Sequence, residues 1–312
     1  MRRLALLALT LAAALVLPFA AACGGDDDGG DSGKLSVMAT IAPVGALVTA
    51  VAGDDADVRV LVPAGVDPHD YELKASDRRA VERAKVLFRN GLGIDAFLDS
   101  AIADSKGTVI TVTDGLALRA ADGSAHAAGD SHDHEGEDDP HAWHDIDNDR
   151  AMVRAIVEAL VAADPAHEAG YRQRGAAYDQ RLTAVDAEIR ALIATIPPAN
   201  RKVVTNHDAI GYFLDRYGLE FVGAVIPGTS TQSEPSSKEI AALVDTIRRE
   251  GVKAIFADSS VDPKIARQIA ADTGARIVDD IYGDSLGPAG SGAETVDGML
   301  LSNARRMVEA LR

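Results

Sequence analysis

From Pro165 to Thr195 the chain runs with no helix breaker other than Gly170 and Gly175. Within it Tyr178, Leu182, Val185, Ile189 and Leu192 recur at alternating four- and three-residue steps, which draws a single apolar stripe along an α-helix. About 30 helical residues span roughly 45 Å, and Pro197-Pro198 ends the run. On its N-terminal side, strand-like Leu35–Ala39, Val58–Val62, Val86–Phe88 and Thr108–Thr113 alternate with helical patterns that start at Ser76 and near Ile94. On its C-terminal side, strands at Lys202–Thr205, Leu219–Val222, Lys253–Ala257 and Ala275–Val278 alternate with helices over Asp208–Tyr217, Ser236–Arg249, from Pro263 and from about Glu294. Ser236-x-x-Glu239 reads as a capping box. Strands alternating with helices build parallel sheets covered by helices. The expected fold is therefore α/β: two lobes, each a parallel β-sheet flanked by helices, joined by one long rigid α-helix. Such a connector resists the wide bending that loose loops permit.

The start of the chain reads differently. Arg2-Arg3 precede an apolar run from Leu4 to Ala22, the n-region and h-region of a secretory signal. The run ends at Cys23, the only cysteine, and two readings compete there. Ala20-x-Ala22 could serve ordinary signal cleavage, or Ala20-Ala21-Ala22-Cys23 is a lipobox and Cys23 is lipidated. A sole cysteine at the end of an h-region favours the lipobox. The next residues, Gly24 to Gly33, form an acidic, glycine-rich tether without core-forming side chains. No later run is long and apolar enough to cross a membrane. The expected organisation is a signal peptide (1–22), a lipidated Cys and tether (23–33), an N-terminal lobe (34–146), a helical region (147–199) and a C-terminal lobe (200–312). The expected location is outside the cytoplasm, anchored by lipid to the outer face of the cytoplasmic membrane. A net charge of −17 argues against nucleic acid or an anionic membrane surface as partner.

Metal chemistry enters with the histidines. Five of the eight, His126, His132, His134, His141 and His144, fall between residues 126 and 144, interleaved with carboxylates. Imidazole and carboxylate bind borderline and hard divalent cations. Four separate segments also place a candidate ligand in a turn after a strand: Asp67-Pro-His69, Asp139-Pro-His141, Asn206-His207 and Tyr282-Gly-Asp284. Ligands of α/β folds bind beyond the carboxyl ends of strands. A cation between the lobes would be held by His69 and His141 from the first and His207 and Asp284 from the second. Asp208 reads as an acid at a helix N-terminus, His167 as a surface residue and Trp143 as packing.

The ordered segments resemble the zinc/manganese solute-binding lipoproteins of ABC importers, the cluster A-I family. Asp67-Pro-His69-Asp-Tyr71-Glu72 is similar to its DPH-x-YE segment, and Asp139-Pro-His141-Ala-Trp143 to its DPH-x-W segment. Asn206 to Phe213, Glu234-Pro-Ser236 and Val252-Lys-Ala-Ile-Phe256 also resemble family segments, and the similarity covers residues 35–312. The resemblance implies the same four ligands, a Zn²⁺ or Mn²⁺ cargo, and a membrane permease with a separate ATPase as partners. It implies binding rather than catalysis, by a protein expected to be a monomer. Trp143-His144-Asp-Ile146 departs from the Trp-Leu-Asp-Pro often found there, and Asp258 stands where Glu is common. Neither departure is expected to touch the four ligands, although His144 is a candidate extra ligand or supporting residue. His126, His132 and His134, in the His-rich loop 122–139, read either as an auxiliary zinc collector, which such insertions in zinc-type members suggest, or as an inert solvated loop.

Three imidazoles with one carboxylate suit Zn²⁺, whereas manganese sites usually take a second carboxylate. Manganese-type members often carry Glu in place of His207, so zinc is expected, with a manganese-specific or promiscuous site as the alternative. A secreted metallohydrolase is disfavoured: there is no H-E-x-x-H, no G-x-S-x-G, and His132-Asp-His134-Glu-Gly-Glu137 does not fit H-x-H-x-D-H. A surface adhesin or zinc buffer without a transport partner is the remaining rival.

Overall fold

A computed structural model describes residues 33–121 and 138–312. Cys23 and the loop histidines His126, His132 and His134 lie outside the described residues. In the first lobe β1 (Leu35–Ile41), β2 (Ala56–Val62), β3 (Val86–Arg89) and β4 (Thr108–Thr111) form a parallel sheet in the order β2-β1-β3-β4. In the second, β5 (Lys202–Thr205), β6 (Glu220–Ala224), β7 (Ala254–Asp258) and β8 (Arg276–Ile281) repeat that order as β6-β5-β7-β8.

Successive strand residues face opposite sides of a sheet, and both sides here are covered. Val37, Ala39 and Ile41 of β1, Val86 and Phe88 of β3, Val203 of β5, and Ala254 and Phe256 of β7 enter one continuous central core. The residues between them turn outward into a smaller core on each lobe, Met38 and Leu87 in the first and Val204, Ile255 and Ala257 in the second. This double burial explains why the strands read as apolar runs rather than as an apolar–polar alternation.

The central core lies under four helices, α1 (Ala42–Ala52), α4 (Ile146–Ala163), α5 (Glu168–Ile193) and α9 (Val296–Leu311). Shorter helices α2 (Ala75–Arg83), α3 (Asp99–Ala103), α6 (Gly211–Tyr217), α7 (Ser237–Glu250) and α8 (Lys264–Thr273) complete the flanks. The long helix is present as α5, 26 residues and about 39 Å long. Pro165–His167 form a separate 3₁₀ turn, and α4 runs antiparallel to α5, as the Arg150–Asp179 and Glu158–Arg172 ion pairs show. Tyr171, Gly175, Tyr178, Leu182, Ile189 and Ile193 of α5 are buried. Gly175 is a packing requirement, because a Cβ there would stand 2.4 Å from Val157 of α4. Since α5 packs on α1 of the first lobe and α9 of the second, the residues from Lys34 to Arg312 form one unit.

Two element boundaries differ from expectation for identifiable reasons. Helix α2 begins at Ala75, before Ser76, because the buried Asp77 carboxylate accepts from the Lys74 N–H at 3.0 Å and fixes the first turn. The helix expected from Asp208 begins only at Gly211, since Asp208 is held away by a side-chain ion pair. The capping box at the start of α7 forms: the Glu239 N–H donates to Ser236 Oγ and the Ser236 N–H to Glu239 Oε2.

Candidate metal centre

His69, His141, His207 and Asp284 stand in the loops beyond the carboxyl ends of strands, the first pair on one lobe and the second pair on the other. Each is fixed by a local device that its sequence supplies. In Asp67-Pro-His69 the Asp67 carboxylate accepts the His69 N–H two residues on, at 2.9 Å. In Asp139-Pro-His141 the Asp139 carboxylate does the same at 3.0 Å. Both are Asx turns, with proline removing a competing donor at the middle position. The Asn206 amide oxygen accepts the N–H of His207 at 3.1 Å and that of Asp258 at 3.0 Å, tying the end of β5 to the end of β7. Asp258 in turn accepts the N–H of Asp284 at 2.8 Å.

These devices bring one ligand atom from each of the four residues within 4.8 Å of one another. Nε2 of His141 lies 2.9 Å from one Asp284 oxygen, Nε2 of His207 lies 3.0 Å from the other, and Nε2 of His69 lies 3.8 Å away. The side chains of His141, His207 and Asp284 are fully buried, and that of His69 is 8% exposed. None of these contacts has hydrogen-bond geometry, so Nε2 of all three imidazoles and both Asp284 oxygens are buried without a hydrogen-bond partner. Four donor atoms gathered this closely in a buried place suit a bound cation, and imidazole nitrogen with carboxylate oxygen is a zinc donor set. His69 is the candidate ligand nearest solvent. It lines a cleft of about 440 Å³ together with Tyr71, Phe97, Pro140 and Gln232.

A ligating histidine is usually oriented by a bond from its other ring nitrogen. For His141 the partner is Asp139, 2.7 Å from Nδ1. Asp139 is itself anchored by Arg119, whose Nη1 donates to Asp139 at 2.7 Å and to Asp208 at 3.0 Å. Tyr212 Oη donates to the Asp139 carbonyl at 3.0 Å, and Asn90 Nδ2 to that of Pro140, also at 3.0 Å. Asp208 thus belongs to a buried ion-pair network and not to a helix terminus.

One expectation about the departures is corrected, and of the two readings of His144 the geometry favours the supporting residue. Asp258 does touch a proposed ligand, through the backbone N–H of Asp284. His144 is fully buried but stands outside the convergent four, because its Nε2 is engaged with the Gly283 carbonyl at 2.8 Å. Trp143 packs in the core and also donates to that carbonyl, and His167 is half-exposed and bonded to Asp164. Sequence reading passed over Arg119, Asn90 and Asn206, which hold the ligand loops without contributing a convergent ligand atom.

Burial lowers His69 to about 4, so its imidazole is neutral at pH 7. Burial also works against the charged form of His141, but the Asp139 and Asp284 carboxylates outweigh it and raise His141 to about 10. His207 is likewise raised by Asp284 against the opposing effect of burial. Burial disfavours the Asp284 carboxylate, yet His207 and His141 hold it well below the usual range. A metal must therefore displace the proton of His141 at pH 7, which leaves only as pH rises toward about 10. Affinity is expected to fall as pH is lowered through neutrality. Calorimetry in buffers of different ionisation enthalpy should show at least one proton released per ion; no release would contradict this protonation pattern.

The chain is 31% identical over 309 residues to zinc-binding protein TroA of Treponema pallidum, covering 97% of each. It is 30% identical over 298 residues to the manganese-binding lipoprotein MntA of Halalkalibacterium halodurans, covering 94% of each. The solved structure of the periplasmic zinc binding protein TroA superposes with a TM-score of 0.80 at 28% identity, over 89% of this chain and 99% of that one. A manganese-bound mutant of the periplasmic metal binding protein from Candidatus Liberibacter asiaticus gives 0.77 at 26% identity, over 89% and 100%. Residues 37–310 match the family described as zinc-uptake complex component A, periplasmic, and the chain belongs to that family.

Proposed function

We propose that this protein captures Zn²⁺ outside the cytoplasm and delivers it to the permease of an ABC importer, itself driven by a separate ATPase. By its family it is a substrate-binding component and not an enzyme. The observation that carries the reading is the buried convergence of three imidazole nitrogens and one carboxylate, drawn from both lobes and lacking hydrogen bonds among themselves. Four protein donors close a tetrahedral sphere, which suits capture, whereas catalytic zinc keeps an open position.

The carboxylates around the site favour zinc over manganese. Manganese prefers more oxygen donors, but Asp258 is committed to the backbone of Gly283, Asp284 and Ser260, and Asp67 to His69 and Thr231. Asp139 is committed to His141 and Arg119. Relatives with manganese in their names keep that metal as the second reading. Lipidation of Cys23, anchoring at the outer face of the cytoplasmic membrane and action as a monomer complete the proposal. Lipoprotein names among the relatives support the anchor, and among the described residues no helix is long and apolar enough to cross a membrane.

Competitive titration of the metal-stripped protein with Zn²⁺ and Mn²⁺ tests the choice of metal. One tight zinc site that manganese displaces poorly is expected, and tighter manganese binding would overturn the zinc assignment. We read His126, His132 and His134 as an auxiliary collector. Deleting Ala125–Glu137 should then keep the tight site while lowering total zinc bound or the speed of loading; loss of the tight site would place the ligands elsewhere.

A further inference from the structure

Asp284 sits on a short turn that is bonded from two sides. Asp258, ending β7 of the same lobe, accepts the N–H of Gly283 at 2.5 Å and of Asp284 at 2.8 Å through one carboxylate oxygen. From the opposite lobe, Trp143 Nε1 and His144 Nε2 both reach the Gly283 carbonyl, at 3.1 and 2.8 Å. A carbonyl only accepts, so the proton of a neutral His144 is on Nε2. Trp143 and His144 belong to the 3₁₀ turn Ala142–His144 that directly follows the ligand His141.

The turn has little slack. Trp143 and His144 are both 0% exposed. A Cβ on Gly283 would stand 2.3 Å from the Asp258 carboxylate and 2.9 Å from the Ala209 Cβ, so the residue directly before Asp284 must be glycine. One rigid segment of the first lobe thus carries the ligand His141 and also grips the peptide that bears the ligand Asp284.

We propose that His144 is a positioning residue for the carboxylate ligand. With Trp143 it ties the turn carrying Asp284 to the lobe carrying His141, so the carboxylate's place relative to the imidazoles depends on the relative position of the lobes. A small lobe displacement strains these bonds and shifts Asp284 with its peptide, which loosens the metal without unfolding either ligand loop. The proposal rests on the reading that His69, His141, His207 and Asp284 hold the ion.

The test is a double-mutant cycle on the full chain, read by chelator competition and by the rate of zinc release. Loss of a group that orients a ligand typically costs 10- to 100-fold in affinity. His144→Leu is expected to weaken zinc binding at least about tenfold, mainly through faster release. His144→Gln retains an N–H donor and should recover most of the loss. In an Asp284→Ala background the same His144→Leu change should matter by less than about twofold, because the group it positions is gone. Thermal melts of the metal-free variants verify folding. If His144→Leu does not fold, Trp143→Phe removes the other donor and should show a smaller loss with the same dependence on Asp284. Unchanged affinity in the folded His144 variant, or an equal loss with and without Asp284, overturns the proposal. Full affinity in Asp284→Ala alone would instead overturn the ligand assignment beneath it.

Discussion

Replacing His207 with alanine is expected to weaken zinc binding by at least about 100-fold. A four-ligand zinc site in a small peptide binds with an apparent 10–16 kcal/mol at pH 7, so one ligand accounts for about 3 kcal/mol, and 1.4 kcal/mol is tenfold. The loss should fall on binding and not on folding of the loop, because its backbone is held by Asn206 rather than by the imidazole. In the metal-free protein the same change removes one of the two nitrogens nearest the buried Asp284 carboxylate. Chelator competition measures the affinity, and a variant that binds zinc as the parent does would remove His207 from the ligand set.

Arg119→Leu should produce the largest change in stability. Its guanidinium is nearly buried and joins Asp139 and Asp208, both inside, to Asp215 at the surface. Removing the cation leaves two buried carboxylates unpaired, and breaking a buried pair in this way costs about 3–5 kcal/mol. For a domain of this size that lowers the melting temperature by about 10 °C. Metal affinity should fall too, since Asp139 would lose the partner that aims it at His141. A melting temperature within about 2 °C of the parent would show that solvent or rearrangement satisfies these acids.

The candidate ligands are legible in the sequence because local chemistry places them. Asp-Pro-His occurs twice, and in both copies the aspartate makes the turn that presents the imidazole. Asn206 is adjacent to His207 for a similar reason. The surroundings were not legible, because they depend on pairing across the fold. Asp258 reaches Asp284 only since β7 lies between β5 and β8, and Arg119 bonds acids 20, 89 and 96 residues further along the chain. Nothing near Arg119 in sequence announces those partners.

Fold legibility divides along the same line. The apolar stripe of α5 was visible because one face of that helix meets the core while the other meets solvent. Helix α1 leaves no such mark in the sequence, because Ala42, Pro43, Val44, Gly45, Leu47, Val48, Val51 and Ala52 are all buried and no polar face marks a period. Gly45 adds to the disguise: it is required by a close approach to Val60, where a Cβ would stand 2.4 Å from a side-chain methyl. Helix α4, within the helical region expected over 147–199, carries the buried polar residues Asn148 and Asp149 on its inward face.

The central claim is that one zinc ion is held between the lobes by His69, His141, His207 and Asp284. Anomalous diffraction at the zinc edge, from crystals of the protein loaded with one equivalent of Zn²⁺, tests it most directly. The expected result is one strong peak within about 2.0–2.2 Å of Nε2 of each histidine and of an Asp284 oxygen. A peak bound by other residues, or one that leaves His207 or Asp284 out of the coordination sphere, would contradict the assignment.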